Sequence, residues 1–448
     1  MINTLYLPEI REMLEAKDAD GLREFCVALH AGRTAEFMEG LEPLEAWEVL
    51  QATDNATRVA IFGFLGQDTQ VEILEKGEPA QLAPLIAEMP PDDRVDLLNR
   101  IGPPIVEAIL ALIPTEERRD ILRLRAYPEG TAGSVMTTEV AKFPESLTVR
   151  AALEALGRHA QGFETIYYIY IVDEENHLCG LVSTRQLVSH IGKPDVTLGE
   201  LMERELVTVT ATDDREMVAA KVADFDFLAI PVVDAERHLV GIITHDDVID
   251  VLQEEATEDA HMAGAIEPLE ESYLATRLIR LTRLRAGWLT VLFGAALLTA
   301  LALQSYHDSL QKIAWLVWFV PLVISSGGNT GSQSATLIIR ALTTKEILPK
   351  DWFTVVWREL LIGALLGAFL ASIGYLAACF LAPTPAAAMV IPVTLVLVVM
   401  CGTLLGALLP LMFQSMGLDP ALMSTPFVAG IIDIVGIVLY MNVATWLL

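Results

Sequence analysis

The hydrophobic and polar positions divide the chain into three stretches with different periodicities. From residue 1 to about 127, apolar side chains recur at i, i+3 and i+4, and Pro or Gly breaks the pattern roughly every 12 residues, which predicts short helices stacked as a superhelix. Residues 130–252 alternate strand-like and helical runs, and residues 286–448 are almost continuously apolar. The pattern predicts a multidomain integral membrane protein with an α-helical N-domain, an α/β middle part and an α-helical membrane domain.

The apolar C-terminal part has five segments that are long enough to cross a bilayer as helices, for which about 20 residues suffice. The positive-inside rule places the arginines before the first segment and the basic loop after the second in the cytosol, so the C-terminus falls outside. The N-terminal residues carry no signal-peptide pattern, so we expect a cytosolic soluble half on the plasma (inner) membrane. The expected multi-pass spans are residues 286–303, 313–341, 354–381, 387–413 and 424–448.

The middle part contains two copies of one unit, each of which reads strand, helix, strand, turn, strand, helix. The clearest match is a Val-Asp-x-Glu-x-His-Leu-x-Gly segment at residues 172–180, which recurs at residues 233–241. His177 and His238 occupy equivalent turn positions in these segments. We therefore interpret them as structural residues rather than as metal ligands.

The end of each copy is similar to the closing pattern of a cystathionine-β-synthase-type (CBS) domain pair. The second copy reads Gly-Ile-Ile-Thr-His-Asp-Asp up to Asp247, whereas the first has Gln186 where the family has Asp. In that family this Asp can hold a nucleotide ribose, so the resemblance implies an ATP-like ligand only at the second half-site, with Thr244 beside Asp247. Tyr170 and Phe227 either flank an adenine there or are core aromatics.

The negative charge is concentrated in the soluble half. The net charge is −29, and the nine Lys/Arg and seven Asp/Glu from Glu271 onward leave 21 and 52 in the first 270 residues. Such a surface repels nucleic acid and anionic lipid and attracts cations, so no nucleic-acid partner is expected. The four cysteines are scattered and predict neither a disulfide framework nor a zinc site.

Two groups of acids stand out from this background. Asp92 and Asp93, with Asp96 one turn later, begin a predicted helix, where an N-cap favoured by the helix dipole is the simplest explanation. A second group follows the repeat on a helical stretch, where each like-charge pair costs an isolated helix ~0.2–0.5 kcal/mol. Bound divalent cations would relieve that repulsion, so we predict a cation site in the second group. Its members are Asp247, Asp250, Glu254, Glu255, Glu258 and Asp259.

One ionisable residue, Asp433, interrupts the last apolar segment. It lies roughly 10 Å beyond the helix start, within the hydrocarbon, where a charge costs at least ~2.5–3.5 kcal/mol. No basic residue of the membrane half is placed to pair with it. Ala429 and Gly436 share its helical face and would admit another helix or an ion. This pattern favours a cation site on a permeation path, and a neutral carboxyl hydrogen-bonded to a neighbouring helix is the alternative.

A polar, glycine-rich patch interrupts the second apolar segment. It reads Gly-Gly-Asn-Thr-Gly-Ser-Gln over residues 327–333, with Gly328 and Asn329 near its start. Polar groups in mid-membrane are costly unless they line a wet cavity, so we predict that this patch faces Asp433 across one path. Three GxxxG pairs predict close helix packing. They are Gly327/Gly331, Gly363/Gly367 and Gly402/Gly406.

Two other functional classes fit the sequence less well. An intramembrane aspartyl hydrolase needs two carboxylates that share a proton, and the usual Gly-x-Gly-Asp setting is missing around Asp433. The other class is a transporter of an organic solute or an anion, with the CBS pair as a sensor of nucleotide or ionic strength. An anion path should carry buried Lys or Arg, which the apolar segments have only near their ends. We therefore do not expect an enzyme.

The whole chain resembles the MgtE-type magnesium channels and transporters. Three motifs carry the resemblance. They are the Tyr-Pro-Glu at 127–129, the stretch from Pro321 to Gln333 that includes the polar patch, and the Pro-Phe-Val-Ala at 426–429 followed by Asp433. The family implies a homodimer in the bilayer with its pore on the dimer axis, where Asp433 and the Ala429 carbonyl lie beside a hydrated Mg²⁺. It also implies gating by cytosolic Mg²⁺, and hence Mg²⁺ homeostasis.

The resemblance further implies regulatory Mg²⁺ ligands in the soluble half. They include the N-domain group that begins at Asp92, and Asp419 at the inner pore mouth. The other implied ligands are Glu216, the Ala223 carbonyl, Asp226, Asp247, Asp250, Glu255, Glu258 and Asp259. The expected domains are a cytosolic helical N-domain (1–127), a CBS pair (130–195 and 196–252), an acidic connecting helix with a basic juxtamembrane segment (253–285) and a five-helix pore domain (286–448).

Overall fold

The computed structural model describes residues 5–269, 273–274 and 276–448. The chain divides into two compact units, Met1–Glu254 and Glu255–Leu448. The first unit contains the predicted helical N-domain and the repeat, and the second contains the apolar helices. The boundary falls inside one helix rather than in a loop, so that helix belongs to both units.

Short helices build the first part of the first unit. Between residues 5 and 127 there are ten helices of eight to ten residues: α1 Leu7–Ala16, α2 Ala19–Ala28, α3 Ala31–Met38, α4 Pro43–Gln51, α5 Asn55–Gly63, α6 Gln67–Lys76, α7 Pro79–Glu88, α8 Pro91–Arg100, α9 Pro103–Leu110 and α10 Thr115–Leu124. Proline opens the first turn of several, where its missing N–H is not needed. Alternate helices contact each other (α3 with α5, α5 with α7, α7 with α9), which confirms the stack of short helices.

The repeat forms two small three-stranded sheets with the predicted order of elements. In each sheet a parallel pair is followed by an antiparallel pair, with order β1-β2-β3 and β4-β5-β6. The first copy consists of β1 Val140–Pro144, α11 Val149–His159, β2 Thr165–Val172, β3 Leu178–Ser183 and α12 Thr184–Ser189. The second begins with the short helix α13 Leu198–Leu201 and continues with β4 Val209–Thr210, α14 Arg215–Asp224, β5 Ala229–Val233, β6 Leu239–Thr244 and α15 His245–Ala263. The described strands and helices therefore confirm the predicted repeat.

Long apolar helices build the second unit. They are α16 Leu278–Ser305, α18 Val320–Thr343, α19 Trp352–Leu381, α21 Val390–Ser415 and α22 Thr425–Leu447, with the short helices α17 His307–Lys312 and α20 Pro385–Ala388 between them. Four stretches of the described chain are long and apolar enough to cross a membrane: Leu278–Ser305, Pro349–Leu381, Pro385–Ser415 and Thr425–Leu447. The α18 helix has 24 residues, one more than the last of these stretches, but its polar patch makes it less apolar than they are.

The observed helix bounds differ from the expected ones at three places. The α18 helix begins at Val320 rather than near 313, because Ala314–Phe319 forms a 3₁₀ turn and Pro321 occupies the first turn of the α-helix. The α16 helix begins at Leu278, so the juxtamembrane arginines from Arg280 on lie within it. The acidic helix α15 ends at Ala263, and part of the expected 253–285 connection (residues 270–272 and 275) lies outside the described residues.

The GxxxG pairs bring helix backbones into contact, as predicted. A Cβ atom added at Gly402 of α21 would lie 2.7 Å from the carbonyl oxygen of Gly327 on α18. A Cβ atom added at Gly367 of α19 would lie 2.9 Å from the Cα atom of Val396 on α21. Only glycine allows backbones to approach this closely, so α21 is held between α18 and α19.

Candidate functional site

Asp433 lies two turns inside α22 and has no polar partner in the part of the chain that the structure describes. The helix begins at Thr425 with Pro426 in its first turn, which places Ala429 one turn before Asp433. The Asp433 carboxylate is half-buried, and it makes no hydrogen bond or ion pair with the described residues. The hydrogen-bonded neutral carboxyl that was the alternative explanation therefore has no acceptor or donor among them.

The polar patch of α18 lies directly against Asp433. A Cβ atom added at Gly328 would lie 3.3 Å from Asp433 Oδ1 and 3.5 Å from the Ala429 Cβ atom. The absence of a side chain at Gly328 therefore leaves the carboxylate next to the α18 backbone. The two features that the sequence analysis expected to share a path are neighbours in the structure.

The other polar side chains of the patch support the surrounding backbone. Asn329 is exposed and donates from Nδ2 to Ser325 Oγ at 3.2 Å, within its own helix. Ser332 Oγ donates to the Thr425 carbonyl oxygen at 3.2 Å and so joins α18 to the start of α22. These bonds satisfy hydroxyl and amide groups that would be costly to leave unpaired in lipid. The bond from Ser332 also fixes α18, which carries Gly328, against α22, which carries Asp433.

The C-terminal turn of α15 reaches the start of α22. Thr425 Oγ1 donates to the Ala263 carbonyl oxygen at 3.2 Å, and Met262 packs on the apolar cluster that includes Val428 and Ile432. The end of the acidic helix therefore contacts the helix that carries Asp433, two turns before that residue.

Acids from α15 and from the loop before α22 lie close together at this contact. Burial raises the pKa of Asp259, and the negative charge of Asp419 is the next largest cause, followed by that of Glu255. Arg340 opposes them, and Glu258 adds to them. Asp419 itself caps a short turn, since its Oδ1 accepts the Ala421 N–H at 2.8 Å. Four predicted ligands thus lie within electrostatic range of one another in the second unit.

A second acidic cluster lies in the first unit, where α8 meets the start of α15. Burial raises the pKa of Asp92 well above its usual range, and the charges of Asp247, Asp93 and Glu164 raise it further. Asp93 lies at the solvent edge of the cluster, yet burial of its carboxyl and the charge of Asp247 raise its pKa to about 6. Asp92 Oδ1 is buried without a hydrogen-bond partner among the described residues. This cluster brings together N-domain and CBS acids 155 positions apart and would gain from a bound cation.

Glu164 also belongs to this cluster, although its sequence context does not predict it. It precedes β2, and burial together with the charges of Asp247, Glu139 and Asp246 raises its pKa to about 7. Asp246, the acid that precedes Asp247 in the sequence, belongs to the cluster as well, since its charge also raises the pKa of Asp93. Glu164 stands in no acidic run and no motif, so no local signal could have found it.

Asp247 also has a structural role at the start of α15. Its Oδ2 atom accepts a hydrogen bond from Thr244 Oγ1 at 2.6 Å and a longer one from the Thr244 N–H. In the first copy, Gln186 caps α12 in the same way, with Oε1 accepting the Ser183 N–H at 2.7 Å. Both closing patterns therefore cap a helix, whichever residue stands at the last position.

The remaining predicted ligands have more ordinary surroundings. Asp96 pairs with Arg100 on α8 at 3.1 Å, and burial, followed by the charges of Glu254 and Asp246, raises the pKa of Asp250. Glu216, Ala223 and Asp226 are exposed on or just after α14. Their role as ligands stays a prediction.

One acid of the predicted α15 group, Glu254, is neutralised by basic side chains of the protein. Glu254 lies 2.8 Å from Arg215 Nη1 and 3.8 Å from Arg100 Nη2. Two arginines therefore relieve the charge repulsion at Glu254. A bound cation, which the sequence pattern predicts for this group of acids, is not needed for that purpose here.

The aromatic candidates for nucleotide binding differ in exposure. Tyr170 is completely buried in the core, which favours the core-aromatic interpretation for this residue. Phe227 is half-buried and stacks on Phe225, with ring centroids 5.4 Å apart. Phe227 and Thr244 therefore remain as candidates beside Asp247.

Family models match most of the chain. The model of the MgtE intracellular N domain matches residues 29–130, and the CBS domain model matches residues 132–193 and 198–254. The model described as MgtE, divalent cation transporter, matches residues 320–443, which contain the patch and Asp433.

Whole proteins and solved structures show the same likeness. The magnesium transporter MgtE of Thermus thermophilus is 41% identical over 325 residues, which cover 72% of this chain and 72% of that protein. The magnesium transporter MgtE of Enterococcus faecalis is 32% identical over 321 residues, or 71% of this chain and 69% of that one. A solved structure of the cytosolic domain of the Mg²⁺ channel MgtE in complex with ATP is 34% identical and covers 54% of this chain and 98% of that chain, with a TM-score of 0.51.

Proposed function

This chain belongs to the MgtE family of magnesium transporters, which are not enzymes, and on that premise we propose that it conducts Mg²⁺ through a path lined by Asp433. The observation that carries the proposal is the half-buried Asp433 carboxylate, which has no polar partner among the described residues and lies beside the backbone at Gly328. A carboxylate in this setting needs a counter-charge. A passing cation supplies it.

The donor set suits hydrated Mg²⁺ better than a bare ion. Mg²⁺ gives up its water reluctantly and is bound through few protein oxygens, whereas an all-protein cage suits ions that dehydrate more easily. The Asp433 carboxylate and the Ala429 carbonyl would supply oxygen atoms, and Gly328 adds no side chain beside the carboxylate. In a homodimer with the path on its axis, two Asp433 carboxylates would balance the two charges of the ion.

We place five spans in the bilayer, α16, α18, α19, α21 and α22. The α18 helix has 24 residues, or about 36 Å at 1.5 Å per residue, which is enough to cross the hydrocarbon. The glycines of its polar patch pack against α21 and α22, whereas Asn329 and Gln333 are exposed. With the arginines at the start of α16 in the cytosol, the soluble first unit is cytosolic and the C-terminus lies outside.

The acidic helix α15 is the proposed gating element. Its first turn belongs to the acidic cluster with Asp92 and Asp93, and its last turn contacts the start of α22 beside Asp259 and Asp419. When cytosolic Mg²⁺ is low, these like charges repel each other. When it is high, bound Mg²⁺ draws them together and holds the end of α15 against α22.

The electrostatic energy is sufficient for such a gate. One like-charge pair at 4 Å is worth ~4 kcal/mol at an effective dielectric constant near 20, and water and salt reduce this at exposed sites. A shift from 1:99 to 99:1 needs about 5.5 kcal/mol of differential binding. Two or three bridging ions would supply it, and such a gate would serve Mg²⁺ homeostasis.

ATP is a second proposed ligand of the CBS pair. The relative of known structure was solved with ATP, and this chain has the corresponding closing pattern in its second copy. Asp247 would then be shared between the nucleotide site and the acidic cluster. Binding of ATP would change the charge that Mg²⁺ has to balance.

Mg²⁺ flux into proteoliposomes tests the pore assignment. We expect Asp433→Asn and Asp433→Ala to abolish uptake of labelled Mg²⁺ and to leave a folded, membrane-inserted dimer, because the negative charge is lost. Asp308→Asn is the matched control, since it removes the same charge from an exposed position on α17. Wild-type flux through Asp433→Asn would overturn the assignment, and parallel Na⁺ flux measurements report selectivity.

A further inference from the structure

The turns that precede β3 and β6 occupy equivalent positions in the two CBS copies, and they contact each other at a bridge between His177 and His238. We call this contact the seam between the copies. The Leu178 N–H donates to the Arg237 carbonyl oxygen at 3.0 Å, and the Leu239 N–H donates to the Asn176 carbonyl oxygen at 3.0 Å. The rings of His177 and His238 stack across this seam with centroids 4.4 Å apart and planes 19° apart. Neither ring can therefore turn freely.

Each imidazole is also held by an aspartate of its own turn. His238 Nδ1 lies 2.8 Å from Asp234 Oδ2, and His177 Nδ1 lies 2.9 Å from Asp173 Oδ2. The other oxygen, Asp234 Oδ1, accepts the backbone N–H groups of Glu236 and His238 at 3.1 and 2.8 Å. The carboxylate is thus fixed by the backbone, and its second oxygen is aimed at the imidazole nitrogen.

The second turn brings three metal-type donors together. One donor atom each of Asp234, Glu236 and His238 lie within 4.8 Å of one another, and no other trio of His, Cys, Asp or Glu does so in the described ranges. Donors around a tetrahedral ion with bonds of about 2.0–2.2 Å are separated by roughly 3–3.5 Å, so a small movement of the exposed Glu236 side chain completes the set. His238 would then carry its proton on Nε2.

The sequence favours a structural role for both histidines, but the grouping of donors in the second turn points further for one of them. We propose that Asp234, Glu236 and His238 form a site for one transition-metal ion of the Zn²⁺ class where the two CBS copies meet. An imidazole nitrogen with two carboxylates suits Zn²⁺, Co²⁺ or Ni²⁺, whereas Mg²⁺ prefers an all-oxygen, largely hydrated shell. His177 is a positioning residue, because its ring fixes the plane of His238. The site does not depend on the proposed Mg²⁺ conduction.

The first turn differs from the second in exposure. The Asp173 side chain is 44% exposed and the Asp234 side chain 36%, while Glu175 and Glu236 are both exposed, so the contrast lies at the aspartates. Water competes more strongly for the donors of the more exposed turn. The first turn is therefore a matched control within the same chain.

Metal binding to the full-length chain in detergent tests the proposal. With Mg²⁺ at saturating concentration to fill the acidic clusters, Zn²⁺ is titrated by calorimetry and counted by elemental analysis after dialysis. We expect one Zn²⁺ per chain, and at least a 10–100-fold loss of affinity in His238→Phe and Glu236→Gln, since loss of a ligand weakens binding no less than loss of its supporting partner. His177→Phe, which keeps the stacked ring, and Glu175→Gln should bind as the wild type does.

Several results would overturn the assignment. Absence of bound Zn²⁺ in the wild type would remove the site, and unchanged affinity in Glu236→Gln would do the same even if His238→Phe failed to fold. Equal losses in His177→Phe and His238→Phe would mean that both rings are ligands, which contradicts the proposed donor set. With Co²⁺ in place of Zn²⁺, the visible absorption band of a four-coordinate nitrogen–oxygen site should appear in the wild type and vanish in His238→Phe.

Discussion

Without Mg²⁺, the Glu164 side chain is expected to make the first unit less stable as the pH rises. Burial and the surrounding carboxylates raise its pKa from 4.5 to about 7 in the folded state. Folding therefore favours the protonated form. The stabilising contribution of that proton is complete below about pH 4.5 and is lost as the pH rises through about 7.

The size of the effect follows from the pKa difference. At 1.36 kcal/mol per pH unit, the difference corresponds to about 3 kcal/mol, and partial exposure of the side chain reduces it to about 1–2 kcal/mol. For a unit of this size, each kcal/mol shifts the melting temperature by about 2–4 °C. We therefore expect the chelator-treated wild type to melt several degrees lower at pH 8 than at pH 5, beyond the change seen in Glu164→Gln.

Scanning calorimetry of the full chain in detergent measures this difference. Glu164→Gln keeps the shape of the protonated side chain and should flatten the pH dependence, and Mg²⁺ should flatten that of the wild type by balancing the same charge. Glu174→Gln removes an equal charge from an exposed position in the same repeat and should leave the slope unchanged. Identical slopes for the wild type and Glu164→Gln would refute the reasoning.

Three further predictions address the path, the gate and the core. Gly328→Ala should lower Mg²⁺ flux in proteoliposomes several-fold with little change in stability, since its methyl group faces the pore carboxylate, whereas Gly402→Ala should cost about 1–3 kcal/mol of stability by pressing on a carbonyl oxygen. Arg94→Met should cost about 2–4 kcal/mol in chemical unfolding, because it leaves a half-buried carboxylate without its 2.8 Å ion pair. Neutralising the acids of α15 should keep conduction but flatten its inhibition by internal Mg²⁺, and patch-clamp curves that superimpose on the wild type would contradict this. Those acids are Asp247, Asp250, Glu255, Glu258 and Asp259.

The features that were predicted correctly depend on residues that are close together in the sequence. Strand and helix periods, the turn residues of the repeat and the GxxxG pairs each depend on neighbours within about seven positions, so they appear in the pattern itself. The start of α18 was placed too early because apolar residues continue through Phe319. Pro321 was the available signal, since proline favours the first turn of a helix.

The features that were missed depend on contacts between distant residues. Glu164 gains its role only because folding brings it near α8 and α15. In the sequence, Glu254 is one of several acids on a helix without nearby basic residues. Folding places Arg215 and Arg100 beside it. The environment of a charged side chain is set by tertiary packing, which no local spacing encodes.

The glycine contacts between α18 and α21 limit how this membrane domain can move. Where Gly327 meets Gly402, backbone touches backbone, and there is no side chain whose rotation could let one helix slide past the other. Shear between helices normally proceeds through small side-chain rearrangements at their interface. The two helices should therefore move as a single rigid block, and any opening motion has to be taken up where side chains intervene, along α16 and α22.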